Sequence, residues 1–187
     1  MQEMLVLCHE YCNEFNLTFN AKKSKTLIFG NPGSVIKPLI LNGNEIEIVT
    51  EWRYLGTTIV SGKSFSFSAK SELRAFYCSA NSLLSAKIKP NESVLMSLLF
   101  SICVPTITYA SEVKEFSSSE MYSCHVAMND AIRWIFGYNR WESIRTLRQS
   151  LGFHDIYNSF QRRRNKFKEG NAAHTNRVIR AANGVNE

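Results

Sequence analysis

The sequence predicts an α+β fold: a small antiparallel sheet with one packed helix, followed by an all-helical part. Three observations predict it. Apolar residues recur at helical spacing from Leu5 to Phe15, short β-favouring runs separated by turn residues fill the stretch from Thr26 to Val60, and helical spacing returns after Gly62. The chain therefore divides into residues 1–62, residues 63–168 and a flexible tail at 169–187.

Leu5, Cys8, Cys12 and Phe15 mark an amphipathic first helix that should pack on a sheet. Thr26 to Phe29 is a strand stopped by Gly30-Asn31-Pro32-Gly33. Leu39-Ile40-Leu41 meets Ile46-Glu47-Ile48-Val49 across Asn42-Gly43, a strong hairpin signal because both central residues of a type I′ turn need positive φ. Two short strands around Gly56 complete this part, between Arg53 and Val60.

Leu73, Phe76, Tyr77, Ala80, Leu84 and Ile88 outline the next helix, ending near Lys89-Pro90. Asn91 caps another, whose buried stripe is Val94, Leu95, Leu98, Leu99 and Ile102, and Pro105 stops it. Ser119 and Glu120 open a third, with Met121, Cys124, Met128, Ile132 and Ile135 as its core face and Gly137 as its end. Shorter helices follow at 141–149 and 155–168, and a helical turn around Val178 is the most the tail offers.

With 187 residues, 44% of them apolar, the chain suffices for one domain or two small subdomains. Its longest apolar candidate, Val94 to Tyr109, is broken by Ser97, Ser101, Pro105 and Thr106, so a soluble protein without membrane partners is expected. Met1-Gln2-Glu3-Met4 has neither a basic leader nor a small-residue cleavage site, and the five cysteines read as reduced, mostly buried thiols. The expected location is intracellular, nuclear or cytoplasmic.

The charge is uneven. Nine basic residues between Arg133 and Lys168 (Arg133, Arg140, Arg145, Arg148, Arg162, Arg163, Arg164, Lys166, Lys168) face only Glu142 and Asp155, a local +7 that exceeds the +6 of the whole chain. Trp134, Tyr138, Trp141, Phe160 and Phe167 interleave with them. Two readings stay open: a phosphate-backbone contact surface, or a set of solvated helix faces.

Leu17-Thr18-Phe19-Asn20-Ala21-Lys22-Lys23-Ser24-Lys25-Thr26-Leu27-Ile28-Phe29 is a helix end, an Asn-x-x-Lys-(Ser/Thr) turn and a strand. Leu41-Asn42-Gly43-Asn44-Glu45-Ile46 then leads to Tyr54-Leu55-Gly56, and later Leu99-Phe100 and Val104-Pro105 lead to Tyr109-Ala110-Ser111-Glu112-Val113. In this order the three segments resemble palm motif D, the primer-grip motif E and the thumb of non-LTR (LINE-type) retrotransposon reverse transcriptases, the thumb segment ending in that family in a Tyr-Gly-Ser-Glu-x-Trp-like pattern. The likeness covers about Leu5 to Ile156. Asn16 stands where the family commonly has Gly, and Lys114 where the Trp would be.

The resemblance implies a transposable-element nucleotidyltransferase, an RNA-directed DNA polymerase, with an RNA template and a DNA primer as partners. It makes Lys23 the lysine that stabilises charge on the departing pyrophosphate. It makes Tyr54, Leu55 and Gly56 the primer grip, where glycine lets backbone approach the primer, and Lys22, Lys25, Arg133, Arg140, Arg145, Arg148, Arg162, Arg163 and Arg164 nucleic-acid contacts. Solvated lysines at a turn, and Tyr54 and Leu55 as strand core, are the plainer readings of the same residues.

The family's two divalent metals need clustered aspartates, one set in an aromatic-x-Asp-Asp turn that would lie just before Met1. Asp130 and Asp155 are the only aspartates here, so no metal site or cofactor is expected in this chain, Mg2+ belonging to the full-length polymerase. An isolated chain is expected to be inactive, a fragment whose upstream palm and fingers are missing partners. The alternative is a non-catalytic, sequence-independent nucleic-acid-binding or helical interaction module.

Overall fold

The computed structural model describes residues 1–31, 33, 36–86, 90–153, 155–174, 176 and 179. Strands and helices segregate along the chain as an α+β fold does, in two compact units, Met1–Ser68 and Ala69–Glu187. The boundary falls six residues beyond Gly62, because Ser66–Ser68 pairs back onto the sheet of the first unit.

In the first unit, helix α1 (Gln2–Glu14) is followed by a 3-10 turn (Ala21–Lys23) and six short strands: β1 (Lys25–Thr26), β2 (Leu39–Leu41), β3 (Asn44–Ile48), β4 (Glu51–Tyr54), β5 (Thr57–Val60) and β6 (Ser66–Ser68). The expected single antiparallel sheet is two three-stranded sheets, ordered β1-β3-β2 and β4-β5-β6. In the first, β1 runs parallel to β3, Lys25 opposite Glu47. The hairpin turns explain the antiparallel pairs: Asn42 and Gly43 have φ of 51° and 73°, Leu55 and Gly56 of 47° and 78°, the left-handed pairs of type I′ turns. The strand expected at Thr26–Phe29 is shorter; Phe29 instead bridges to Gly62 and its ring meets Phe65 at 5.3 Å.

Helix α1 lies against β2 and is hydrogen-bonded to it by one side chain. Gln2 Nε2 donates to the Ile40 carbonyl at 2.8 Å, and Gln2 Oε1 accepts from the Ile40 amide at 2.9 Å, so a glutamine completes the ladder of an edge strand. The helix buries no residue. Leu5 and Cys12 are half-buried, while Cys8 and Phe15 of the expected inner face are exposed. Met4, Leu7, Tyr11 and Phe15 instead form an exposed apolar stripe at i, i+3, i+7 and i+11.

The second unit holds α2 (Lys70–Leu84), α3 (Glu92–Leu98), a π-helical turn (Leu99–Cys103), α4 (Val104–Thr108), α5 (Ser118–Phe136), α6 (Arg145–Ser150) and α7 (Ile156–Ala172). Its core is Phe76, Ala80, Met96, Leu99, Cys103, Ile107, Cys124, Ala127, Met128, Ala131, Ile132, Ile135, Ile156 and Phe160. Helix α5 starts just before the expected Ser119, capped by Ser117, whose side chain forms a reciprocal capping box with Glu120, and Gly137 at φ 68° ends it as expected. Helix α2 ends at Leu84, and Ile88 and Lys89 lie outside the described residues. Most of the expected tail, the turn around Val178 included, lies outside them too, although α7 carries its first four residues, Glu169 to Ala172.

Pro105 does not stop a helix. It sits in the first turn of α4, after a π-helical turn whose wider winding relieves the clash between a proline ring and the carbonyl four residues earlier. That winding also changes the buried face. Met96, Leu99, Cys103 and Ile107 are buried, while Val94 and Ile102 of the expected stripe are exposed. The expected helix at 141–149 begins only at Arg145. The thiols also differ from expectation: Cys103 and Cys124 are buried, but Cys8 and Cys78 are exposed. Burial first, then the nearby Glu120 and Glu72 carboxylates, push the Cys124 thiol up to about 12.

An ion pair with no sequence signal sits in this core. Lys114 Nζ lies 2.5 Å from Glu72 Oε1, with the lysine side chain fully buried and the glutamate 5% exposed. Ser71 Oγ donates to the other carboxylate oxygen, and the Tyr109 and Phe116 rings face the ammonium at 5.3 and 5.9 Å. The Arg164 guanidinium donates to the Lys114 and Ser111 carbonyls, tying α7 to the same segment.

Candidate nucleic-acid interface

In the first unit, Asn20 caps the 3-10 turn by accepting from the Lys23 amide at 3.2 Å, and Ser24 Oγ donates to the Asn20 carbonyl. Lys22 and Lys23 are thereby held exposed on a fixed backbone. Lys25 differs. Its ammonium pairs with Glu47 across the parallel strands at 2.5 Å and lies 5.3 Å from the Trp52 ring centre. A pocket of about 760 Å³, lined by Phe19, Lys22, Lys25, Asn42 and Glu47 among others, opens between this turn and the β2–β3 hairpin. Tyr54 and Leu55 are not strand core: at 58% and 74% exposure they occupy the tip of the β4–β5 hairpin. Leu55 holds positive φ there, a conformation that a side chain with a Cβ adopts at a cost of about 1–2 kcal/mol.

In the second unit, residues far apart in sequence line one pocket of about 500 Å³, among them Arg133, Arg145, Arg148, His125, Asn129 and Asp155. Asp155 organises it. Its carboxylate caps α7 through the Tyr157 amide, lies 3.0 Å from His125 Nδ1, and pairs with Arg148 at 3.0 Å. Burial works against the ionised form, but the hydrogen bonds from Arg148, His125 and Tyr157 outweigh it and hold the Asp155 carboxyl below its ordinary range. A carboxylate on Nδ1 leaves His125 Nε2 to accept from Asn129 Nδ2, 2.8 Å away, while Asn129 Oδ1 accepts from Arg148.

The nine arginines and lysines proposed as nucleic-acid contacts separate into two groups. Arg133 is held by Asp130 at 2.9 Å and by the Glu142 carbonyl at 3.0 Å, Arg148 by Asp155, Arg163 by Glu112 and Arg164 by backbone carbonyls. Arg140 and Arg145 make no ion pair among the described residues. Arg162 is exposed on α7 and has a partner of its own. Lys22, exposed, belongs with the uncommitted cations, and Lys25 with the paired ones.

Between Arg133 and Arg145 a residue passed over as a mere interleaved aromatic becomes prominent. Trp141 is 84% exposed, at the second central position of the Asn139–Glu142 turn. That turn is locked at both ends. The Glu142 amide donates to the Asn139 carbonyl at 3.1 Å, the Asn139 amide donates back to the Glu142 carboxylate, and Arg133 grips the Glu142 carbonyl.

Asp130 and Asp155 are each taken by an arginine, and no group of three or more His, Cys, Asp or Glu among the described residues is placed to hold a metal ion. Among the described residues no helix is long and apolar enough to cross a membrane. Comparison with protein-family models, with curated proteins and with solved structures finds no match.

Proposed function

We propose that this chain is the palm-end, primer-grip and thumb part of a non-LTR retrotransposon reverse transcriptase, and that it holds an RNA template and DNA primer without supplying the metal-binding aspartates. The observation that carries the reading is the backbone where the chain departs from the family pattern. Asn16 stands at a family glycine and Ala110 at the glycine of the Tyr-Gly-Ser-Glu pattern, and each has φ of 53°. Left-handed backbone is what a glycine place demands; asparagine tolerates it, and alanine holds it at a cost of about 1–2 kcal/mol. Lys114, at the tryptophan place, is fully buried between aromatic rings, as a large core side chain would be.

In this reading Lys23 is the charge-stabilising lysine, Tyr54-Leu55-Gly56 at its hairpin tip meets the primer, and the arginine pocket meets phosphates without reading sequence. The test is binding of a labelled RNA–DNA primer duplex by the full chain over a range of salt. With two to four phosphates neutralised, log affinity should fall against log salt with a slope of roughly −2 to −4. A slope near zero would remove the binding role.

The exposed stripe of α1, Met4, Leu7, Tyr11 and Phe15, favours a second reading, a helical interaction module. Concentration-dependent mass in sedimentation is its signature.

A further inference from the structure

We infer that the Asn139–Glu142 turn is a stacking platform for an unpaired nucleobase, with the neighbouring phosphate held by Arg145, the arginine of the adjoining pocket that has no ion pair among the described residues, so that this unit takes single-stranded nucleic acid as well as duplex. The inference rests on the nucleic-acid-holding role proposed above and specifies its ligand.

An indole left 84% exposed on a mobile loop would say little, since single apolar residues on surfaces are ordinary. This one is fixed. Both ends of its turn are hydrogen-bonded to each other, Arg133 holds the Glu142 carbonyl, and Ile144, two residues on, is 3% exposed and anchors the loop in the core. The backbone that presents the ring is therefore held in place, so a stacking contact has only the side-chain torsions of Trp141 left to order.

The surroundings select the ligand. Arg140 adjoins Trp141 in the same turn, and Arg145, three residues beyond the Glu142 that closes it, lines the pocket of about 500 Å³; neither has an ion pair among the described residues. The nearest carboxylate in sequence, Glu142, is consumed by the Asn139 amide. An aromatic face beside free guanidinium groups suits a base and its phosphate. A continuous duplex keeps its base faces stacked on one another, so only an unpaired or terminal base can meet the indole.

The experiment compares a dye-labelled oligothymidylate with a dye-labelled closed-circular duplex, which offers neither unpaired nor terminal bases, both against the full chain at one salt concentration. Trp141→Ala should weaken single-strand binding about tenfold and leave duplex binding within twofold, Trp141→Phe should restore most of the loss, and Arg145→Ala should weaken both. An equal effect of Trp141→Ala on the two probes, or none on the single strand, overturns the platform while leaving the duplex-holding role intact. Failure of the unsubstituted chain to bind either probe overturns both.

Discussion

Removing the Lys114 side chain should unfold more of the second unit than any surface change. Two unit charges 2.5 Å apart attract by about 7 kcal/mol at an effective dielectric of 20, and burying each ion costs several kcal/mol, so the intact pair is near break-even. The single variant is not. Lys114→Met leaves the Glu72 carboxylate, 5% exposed, with Ser71 Oγ as its one remaining side-chain partner among the described residues, and loses the ammonium over Tyr109 and Phe116. The expected loss is about 3–5 kcal/mol. In urea, with a slope of roughly 2 kcal/mol per molar, the midpoint read by far-ultraviolet circular dichroism should fall by about 2 M. Lys114→Met combined with Glu72→Leu should recover most of it, since neither charge then remains buried alone. A single variant within about 1 kcal/mol of the parent, or a double variant no better than the sum of its singles, would refute the buried-pair account.

Two further outcomes follow from the same unit. The Asp155 carboxyl, held below the ordinary 3.8, stabilises the fold fully above that value and loses its contribution as pH falls through the lower folded one; urea midpoints should drop below about pH 4, and Asp155→Asn should flatten that part of the profile. Ala110→Gly should raise the urea midpoint, by up to about 1 kcal/mol of relieved left-handed strain against glycine's greater unfolded-chain entropy, and a lowered midpoint would deny that Ala110 is strained.

What the sequence made legible was local. The Asn42-Gly43 turn, the cores of α2 and α5 and the Gly137 stop are written within a few residues of where they act, and all appear in place. What it hid depends on partners distant along the chain. Lys114 read only as a departure from a tryptophan, because the carboxylate that keeps it is 42 positions away. The parallel pairing of β1 with β3 and the third strand β6 carry no short-range signal. The arginines were visible as a basic stretch, but Asp130, Asp155 and the Glu142 carbonyl decide which of them are already spoken for, and only the fold reveals those neighbours. Trp141 opens the helix expected at 141–149; the locked turn places it in solvent instead.

The π-helical turn at Leu99–Cys103 acts as a phase setter for everything that follows it up to Thr108. It amounts to one surplus residue wound into an otherwise regular rod, and each residue of an α-helix advances the side chains by about 100°. Deleting a single solvent-facing residue there, such as Ser101, would let the rod close into uniform winding but would turn Cys103 and Ile107 away from the interior. It would also set Pro105 against a normally placed carbonyl. The length of this segment is thus as constrained as its composition: substitutions at its outer face are cheap, whereas a one-residue deletion is not.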